Sequence, residues 1–249
     1  MSPRGCRFRH FSPAFTLVEM LLVVAIITLL IALLLPALSR ARDAARVTVC
    51  ASNHHQVGLS MTGFAVSNNR RFPLNPAHNT GYGPALFQIS NNKTTSLVTQ
   101  LRPYTGTFDI FRCPTNADAP APDHASNTGA TLVWAFWYLA NYKHAGGVYT
   151  SKVRGLSDYG AWAYYSDIIH SHGGWIGPYA ANHIRNLGFS NPVQSSFAGS
   201  PTARWNVVND TALIAGANVL AVDGRVTFTA FNDLQQVFYG SLHHWYGRQ

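Results

Sequence analysis

The chain has 249 residues, of which 47% are hydrophobic and 11% charged, with 18 Lys and Arg against 10 acids and a formal net charge of +8. That length suits one domain, or one with an appended lobe, and is enough to bury a real core. The basic excess is not gathered into a Lys/Arg-rich run, which argues against a nucleic-acid partner. There is also no Gly-rich phosphate loop ending in Lys-Ser/Thr, no Gly-x-Ser-x-Gly elbow and no Cys-x-x-Cys pair, and no cofactor is expected.

The chain opens with Met1–Ala14, which carries Arg4, Arg7 and Arg9 and no acid. Phe15 to Leu35 is then an apolar run of about 21 residues, roughly 31 Å as a helix and enough to cross a bilayer core. Glu19 interrupts it and is the only glutamate in the sequence. A carboxylate inside a span costs about 2.5–3.5 kcal/mol, so it asks for a partner. Arg40, Arg42 and Arg46 follow the run, with Asp43 offsetting one of them. Basic residues on both sides leave the orientation undecided by charge.

Ala14, Phe15-Thr16-Leu17-Val18-Glu19, the apolar run and Pro36 together resemble the N-terminus of type IV pilins and of type II secretion pseudopilins. The resemblance implies that a prepilin peptidase cuts between Ala14 and Phe15 on the cytoplasmic side, and that the new Phe15 amine is N-methylated. It implies that Glu19 pairs with the Phe15 amine of a neighbouring subunit. A buried carboxylate is tolerable once a cation faces it. The family usually carries Gly where Ala14 stands. The implied location is the bacterial inner membrane, in a single pass, with the head in the periplasm or on the cell surface. Loss of the leader removes three Arg and no acid, leaving a net charge of +5.

Past Pro36, which removes a hydrogen bond and bends a helix, the pattern stays helical. Val47, Cys50, His54, Val57, Met61 and Phe64 recur at spacings of three and four and form one apolar stripe that needs a cover. The predicted fold is α+β: a long N-terminal helix, transmembrane then amphipathic, packed on an antiparallel β-sheet head with long loops. The expected divisions are a leader at 1–14, a transmembrane helix at 15–36, an amphipathic helix at 37–68 and a head at 69–249.

Cys50-x-x-Asn53-x-x-Gln56-x-Gly58-Leu59, with Leu101-Arg-Pro-Tyr104 and Phe111-Arg-Cys113-Pro114, resembles a large group of prepilin-type proteins. Asn53 and Gln56 fall where polar side chains can hold loop backbone. Cys6 would leave with the leader, and Cys50 and Cys113 remain as an even pair in an oxidising compartment. They form either a disulfide, which would stabilise the head by about 4 kcal/mol on chain-entropy grounds, or two buried thiols.

Arg70 to Thr95 reads as loop, with turns at Asn75-Pro76 and Gly81–Pro84. Thr95 to Tyr104 reads as a short helix capped by Thr95 or Ser96. Thr115 to Thr128 reads as an exposed loop. Thr131 to Tyr142 is aromatic and apolar on both faces, which predicts a central buried strand. Lys143 to Pro201 is expected to hold strands and loops.

Asp223-Gly224 between Asn218–Val222 and Arg225–Thr229 predicts a hairpin with a two-residue type I′ turn. Pairing Val222 with Arg225 would put Val219, Ala221, Val226 and Phe228 on the face that covers the helix stripe. The same group of proteins ends in a similar hairpin but has histidines where Leu213 and Arg225 stand, so their role does not carry over.

Asp167, His170 and His172, with His183 further on, have ligand types that suit a transition metal, but chance accounts for the spacing and no metal site is read here. The adjacent pairs His54-His55 and His243-His244 read as surface residues. The expected function is a non-enzymatic structural subunit of a type IV pilus-like or secretion-pseudopilus filament, with the peptidase, like subunits and the inner membrane as partners. The alternative is a membrane-anchored exported binding or hydrolytic domain, for carbohydrate or metal-dependent chemistry, that uses the same kind of anchor.

Overall fold

The computed structural model describes residues 16–74, 85–89, 97–107, 109–111, 113–115, 131–138, 140–141, 153–158, 163–167, 169–172, 179–181, 183–184, 207–208, 212, 214–239 and 242–246. The architecture is α+β, with one long N-terminal helix and antiparallel strands. The chain divides into two compact units, Met1–Arg42 and Asp43–Gln249.

Helix α1, Leu17–Ser67, is 51 residues long and runs through Pro36 without a break. In the first unit its apolar side chains are exposed, from Leu17 at 79% to Leu33 at 70% and Leu38 at 51%. This part is long and apolar enough to cross a membrane. Past Ser67 the helix is closed by a turn in which Asn69 and Arg70 both have positive φ, and Arg70 N–H donates to Ala65 O at 2.8 Å. A left-handed residue closes the last turn in this way, and Asn is the side chain that tolerates it best after Gly.

In the second unit α1 buries one stripe. Cys50, His54, Val57 and Met61 are all fully buried, joined by Gly58, Ser60 and Ala65, while Val47 and Phe64 are half-buried. The period of three and four therefore marks the buried face. His54 corrects the surface reading of the His54-His55 pair. It sits on the stripe, and its Nδ1 lies 2.9 Å from Cys50 O, whereas His55 is exposed.

The strands are β1 (Ala85–Ile89), β2 (Thr131–Tyr138), β3 (Ala163–Asp167), β4 (Ile169–His172), β5 (Tyr179–Ala181), β6 (His183–Ile184), β7 (Val207–Val208), β8 (Ile214–Ala221), β9 (Val226–Ala230), β10 (Gln235–Tyr239) and β11 (Leu242–Tyr246). One sheet runs β1-β2-β3-β8-β6, with β9 also paired to β8, and a second runs β10-β11-β4-β5-β7. Among the described residues every strand pairing is antiparallel, as between β2 and its neighbours β1 and β3. Having a neighbour on each side gives β2 the central place its two apolar faces predicted.

The core joins α1 to this first sheet. Val57, Met61 and Ala65 share one cluster with Phe111, Tyr138 and Leu220, with Val222 and Val226 partly buried against it. Tyr138 is fully buried, and its hydroxyl donates to Pro73 O at 2.6 Å. A buried phenol needs such an acceptor, because an unmet one costs about 1–3 kcal/mol. Helix α2, Leu97–Leu101, continues as a 3₁₀ turn over Arg102–Tyr104. Tyr104 packs edge-on to Phe64 with centroids 5.9 Å apart, and Ser60 Oγ donates to Tyr104 O.

The β8–β9 hairpin corrects the predicted register. Leu220 pairs with Val226, Val219 with Thr227 and Asn218 with Phe228. Ala221 N–H donates to Arg225 O, Gly224 N–H donates to Ala221 O, and Gly224 has φ +83°. This is a type I turn over Ala221–Gly224 followed by a left-handed glycine bulge, not a two-residue type I′ turn. The connection is one residue longer than predicted. Because side chains alternate, the slip moves Val226 and Phe228 off the face of Val219 and onto that of Leu220 and Asn218. Leu220 and Val226 meet the helix cluster as a result. His55 Nδ1 donates to Gly224 O at 3.3 Å and ties α1 to the turn.

The predicted turns at Asn75-Pro76 and Gly81–Pro84 lie outside the described residues, as do residues 116–128 of the predicted exposed loop.

Gly216 and Gly224 both have positive φ, but a Cβ at Gly216 would run into Thr229 O, whereas one at Gly224 meets nothing within 4 Å. Gly216→Ala is expected to destabilise the fold by at least about 2 kcal/mol, combining backbone strain with displacement of β9. Gly224→Ala is expected to cost about 1 kcal/mol. Urea denaturation of the full chain in detergent, followed by tryptophan fluorescence, measures both.

Candidate functional site

Two places carry chemistry that the core does not need. The first is the start of α1. Thr16 N–H and Thr16 Oγ1–H both donate to Glu19 Oε2, at 2.9 and 2.8 Å, and Glu19 N–H donates back to Thr16 Oγ1 at 3.2 Å. This is a capping box, Thr-x-x-Glu, in which two side chains satisfy backbone donors that the first turn leaves open. The negative carboxylate also sits at the positive end of the helix dipole. The signal stood in the sequence as Thr16-Leu-Val-Glu19, and reading Glu19 only as an intermolecular partner overlooked it. Ala14 and Phe15, the expected cleavage and methylation residues, lie outside the described residues.

The second place is in the head. Cys50 comes from the buried stripe of α1. Cys113 follows the 3₁₀ turn Asp109–Phe111, whose Ile110 and Phe111 are buried. His183 stands on β6, opposite Gly216 of β8. One ligand atom from each of Cys50, Cys113 and His183 lies within 4.8 Å of the other two. The three residues are 0%, 0% and 1% exposed. The two sulfurs that the sequence offers either as a disulfide or as two buried thiols are thus brought together, and here they stand as two buried thiols.

The surrounding contacts fix the group. Thr115 Oγ1 lies 2.7 Å from Cys113 Sγ and 3.4 Å from His183 Nδ1. Asn218 Nδ2 lies 3.1 Å from His183 Nε2. The Phe228 ring meets the imidazole edge-on with centroids 5.9 Å apart. Asn218 and Phe228 both reach His183 because the corrected register pairs them across β8 and β9. On the helix side, Cys50 Sγ lies 3.9 Å from His54 Nδ1.

A cleft of about 510 Å³ borders Cys113 and is also lined by Asn53, Gln56, Thr107, Asp109 and Pro114 among others. Asn53 and Gln56, singled out on the helix face, line this cleft. Asp223 and Gly224 form the hairpin turn, where Arg225 N–H donates to Asp223 Oδ1 at 3.0 Å.

Asp167, His170, His172 and His183 are divided between the two sheets. Asp167 ends β3 of the first sheet, the sheet that also holds His183, and His170 and His172 lie on β4 of the second. His243 and His244 lie on β11, where His244 pairs with His170 in register. The company of His183 had no signal in the sequence, because about 60–70 residues separate each member of the cluster from the next.

Comparisons of the chain with protein-family models, with curated proteins and with solved structures found no match.

Thr16→Ala is expected to weaken the start of α1 by about 1 kcal/mol, and Thr16→Ser to leave it nearly unchanged. Amide hydrogen exchange over residues 17–20 in micelles reads the difference.

Proposed function

We propose that the chain is a membrane-inserted, prepilin-like structural subunit whose work is assembly rather than catalysis. A prepilin peptidase would release Met1–Ala14, Phe15 would become the N-methylated terminus, and α1 would bundle with like helices into a pilus-like or secretion-pseudopilus filament. The head would lie on the outer side of a bacterial inner membrane.

The observation that carries this reading is the apolar surface of α1, exposed from Leu17 to Leu38, with one acid near its start. Exposed leucine and isoleucine on every side of a helix need lipid or other helices around them. Glu19 lies where such a bundle needs polar specificity. Both of its described side-chain bonds fall on Oε2. Oε1 is then the atom that a neighbouring subunit's Phe15 amine would approach. Removing one member of a buried ion pair is costly because it strands the other charge.

Mass spectrometry of the mature protein should find a chain that starts at methylated Phe15. A chain that starts at Met1, or one without the apolar helix, sinks the reading. Glu19→Gln should keep part of the cap and lose the charge, and should lower sedimentable polymer at least about tenfold. Unchanged polymer from this variant would show that Glu19 serves its own helix alone.

A further inference from the structure

We propose that Cys50, Cys113 and His183 form a binding site for a thiophilic divalent cation, zinc in the first place. This inference stands on the head alone and does not depend on how α1 assembles.

The three donors come from α1, from the segment after Asp109–Phe111 and from β6, yet their ligand atoms converge within 4.8 Å. Zinc bonds sulfur at about 2.3 Å and imidazole nitrogen at about 2.0–2.1 Å, so ligand atoms around one ion sit about 3.5 to 4 Å apart. The observed envelope of 4.8 Å exceeds that by about 1 Å. Two thiolates and one neutral imidazole are the soft and borderline ligands that zinc favours. Binding exchanges two S–H protons, released to solvent, for one Zn²⁺, so the buried site stays neutral overall. That matters where every ligand is at most 1% exposed. A disulfide would also be neutral, but it has no use for a buried imidazole beside both sulfurs.

The outer contacts fit a ligand role. Metal-bound histidines anchor the ring through the second nitrogen. Here Asn218 meets Nε2, while Nδ1 faces Thr115, whose hydroxyl touches Cys113. Turning the Asn218 amide by half a turn puts its oxygen in place to accept from Nε2–H, which leaves the Nδ1 lone pair on the sulfur side. The cleft lined by Asn53, Asp109 and Cys113 borders the site on its Cys113 side.

The test uses full-length protein isolated anaerobically in detergent, with metal content, intact mass and alkylation of Cys50 and Cys113 measured on one sample. The expected result is one zinc per chain after dialysis, with both cysteines alkylated at least tenfold faster once a chelator removes it. Co²⁺ in place of zinc should give an intense thiolate-to-cobalt absorption band. His183→Asn should weaken Co²⁺ binding at least tenfold, and Cys113→Ser should abolish the band. An intact mass two hydrogens light, from a Cys50–Cys113 disulfide, would overturn the proposal. So would reduced cysteines that bind neither Zn²⁺ nor Co²⁺. Both refuting results come from the wild-type chain, so a variant that fails to fold does not decide the matter.

Discussion

The buried stripe on the second part of α1 cannot satisfy itself. Val57, Met61 and Ala65 lie on one side of the helix, and they leave water only because Leu220, Tyr138 and Phe111 arrive from the sheet and the segments beside it. Each large buried side chain of this kind contributes about 1.5–3 kcal/mol. That contact places β8 against the helix, and β8 in turn organises the first sheet, with β3, β6 and β9 all paired to it. Glycine at position 216 lets β9 approach β8 closely at the far end of the pair, and the glycine bulge at 224 sets which of its side chains face the helix.

The buried cysteine–histidine group depends on the same arrangement. Cys50 lies on the stripe one turn before His54, so docking the helix carries its thiol inside. His183 is held from the opposite side by Asn218 and Phe228, which stand across from each other on the hairpin. A hairpin shifted by one residue would set Phe228 across from a different partner and leave His183 in other company. Polar groups sealed in an apolar core are tolerated when each has a partner, and Thr115 and Asn218 supply partners here.

The start of α1 holds one acid with an observed use and a proposed one, and the two do not exclude each other. Within the chain, Glu19 closes a capping box with Thr16 and so favours the first turn. Between chains, its charge is what an apolar helix bundle would require a cation to offset. A cap is a local device and holds in a single copy. A buried ion pair takes meaning only where a second copy excludes water.

Much of the fold was legible because it is local or periodic. The apolar run, the stripe at Cys50, His54, Val57 and Met61, the doubly apolar strand read from Thr131 to Tyr142, which ends at Tyr138, and the turn at Asp223-Gly224 follow from the rise of a helix, the alternation of a strand and the freedom of glycine. Those rules need only neighbours in sequence. Type I′ and bulged type I turns share the same Asp-Gly signature, so the exact register was open until β8 and the helix selected the face that buries Leu220 with Val226. The gathering of Cys50, Cys113 and His183 was open for a plainer reason. No spacing rule links residues on a helix, a turn and a short strand, and only the packing of those elements sets the distance between their side chains.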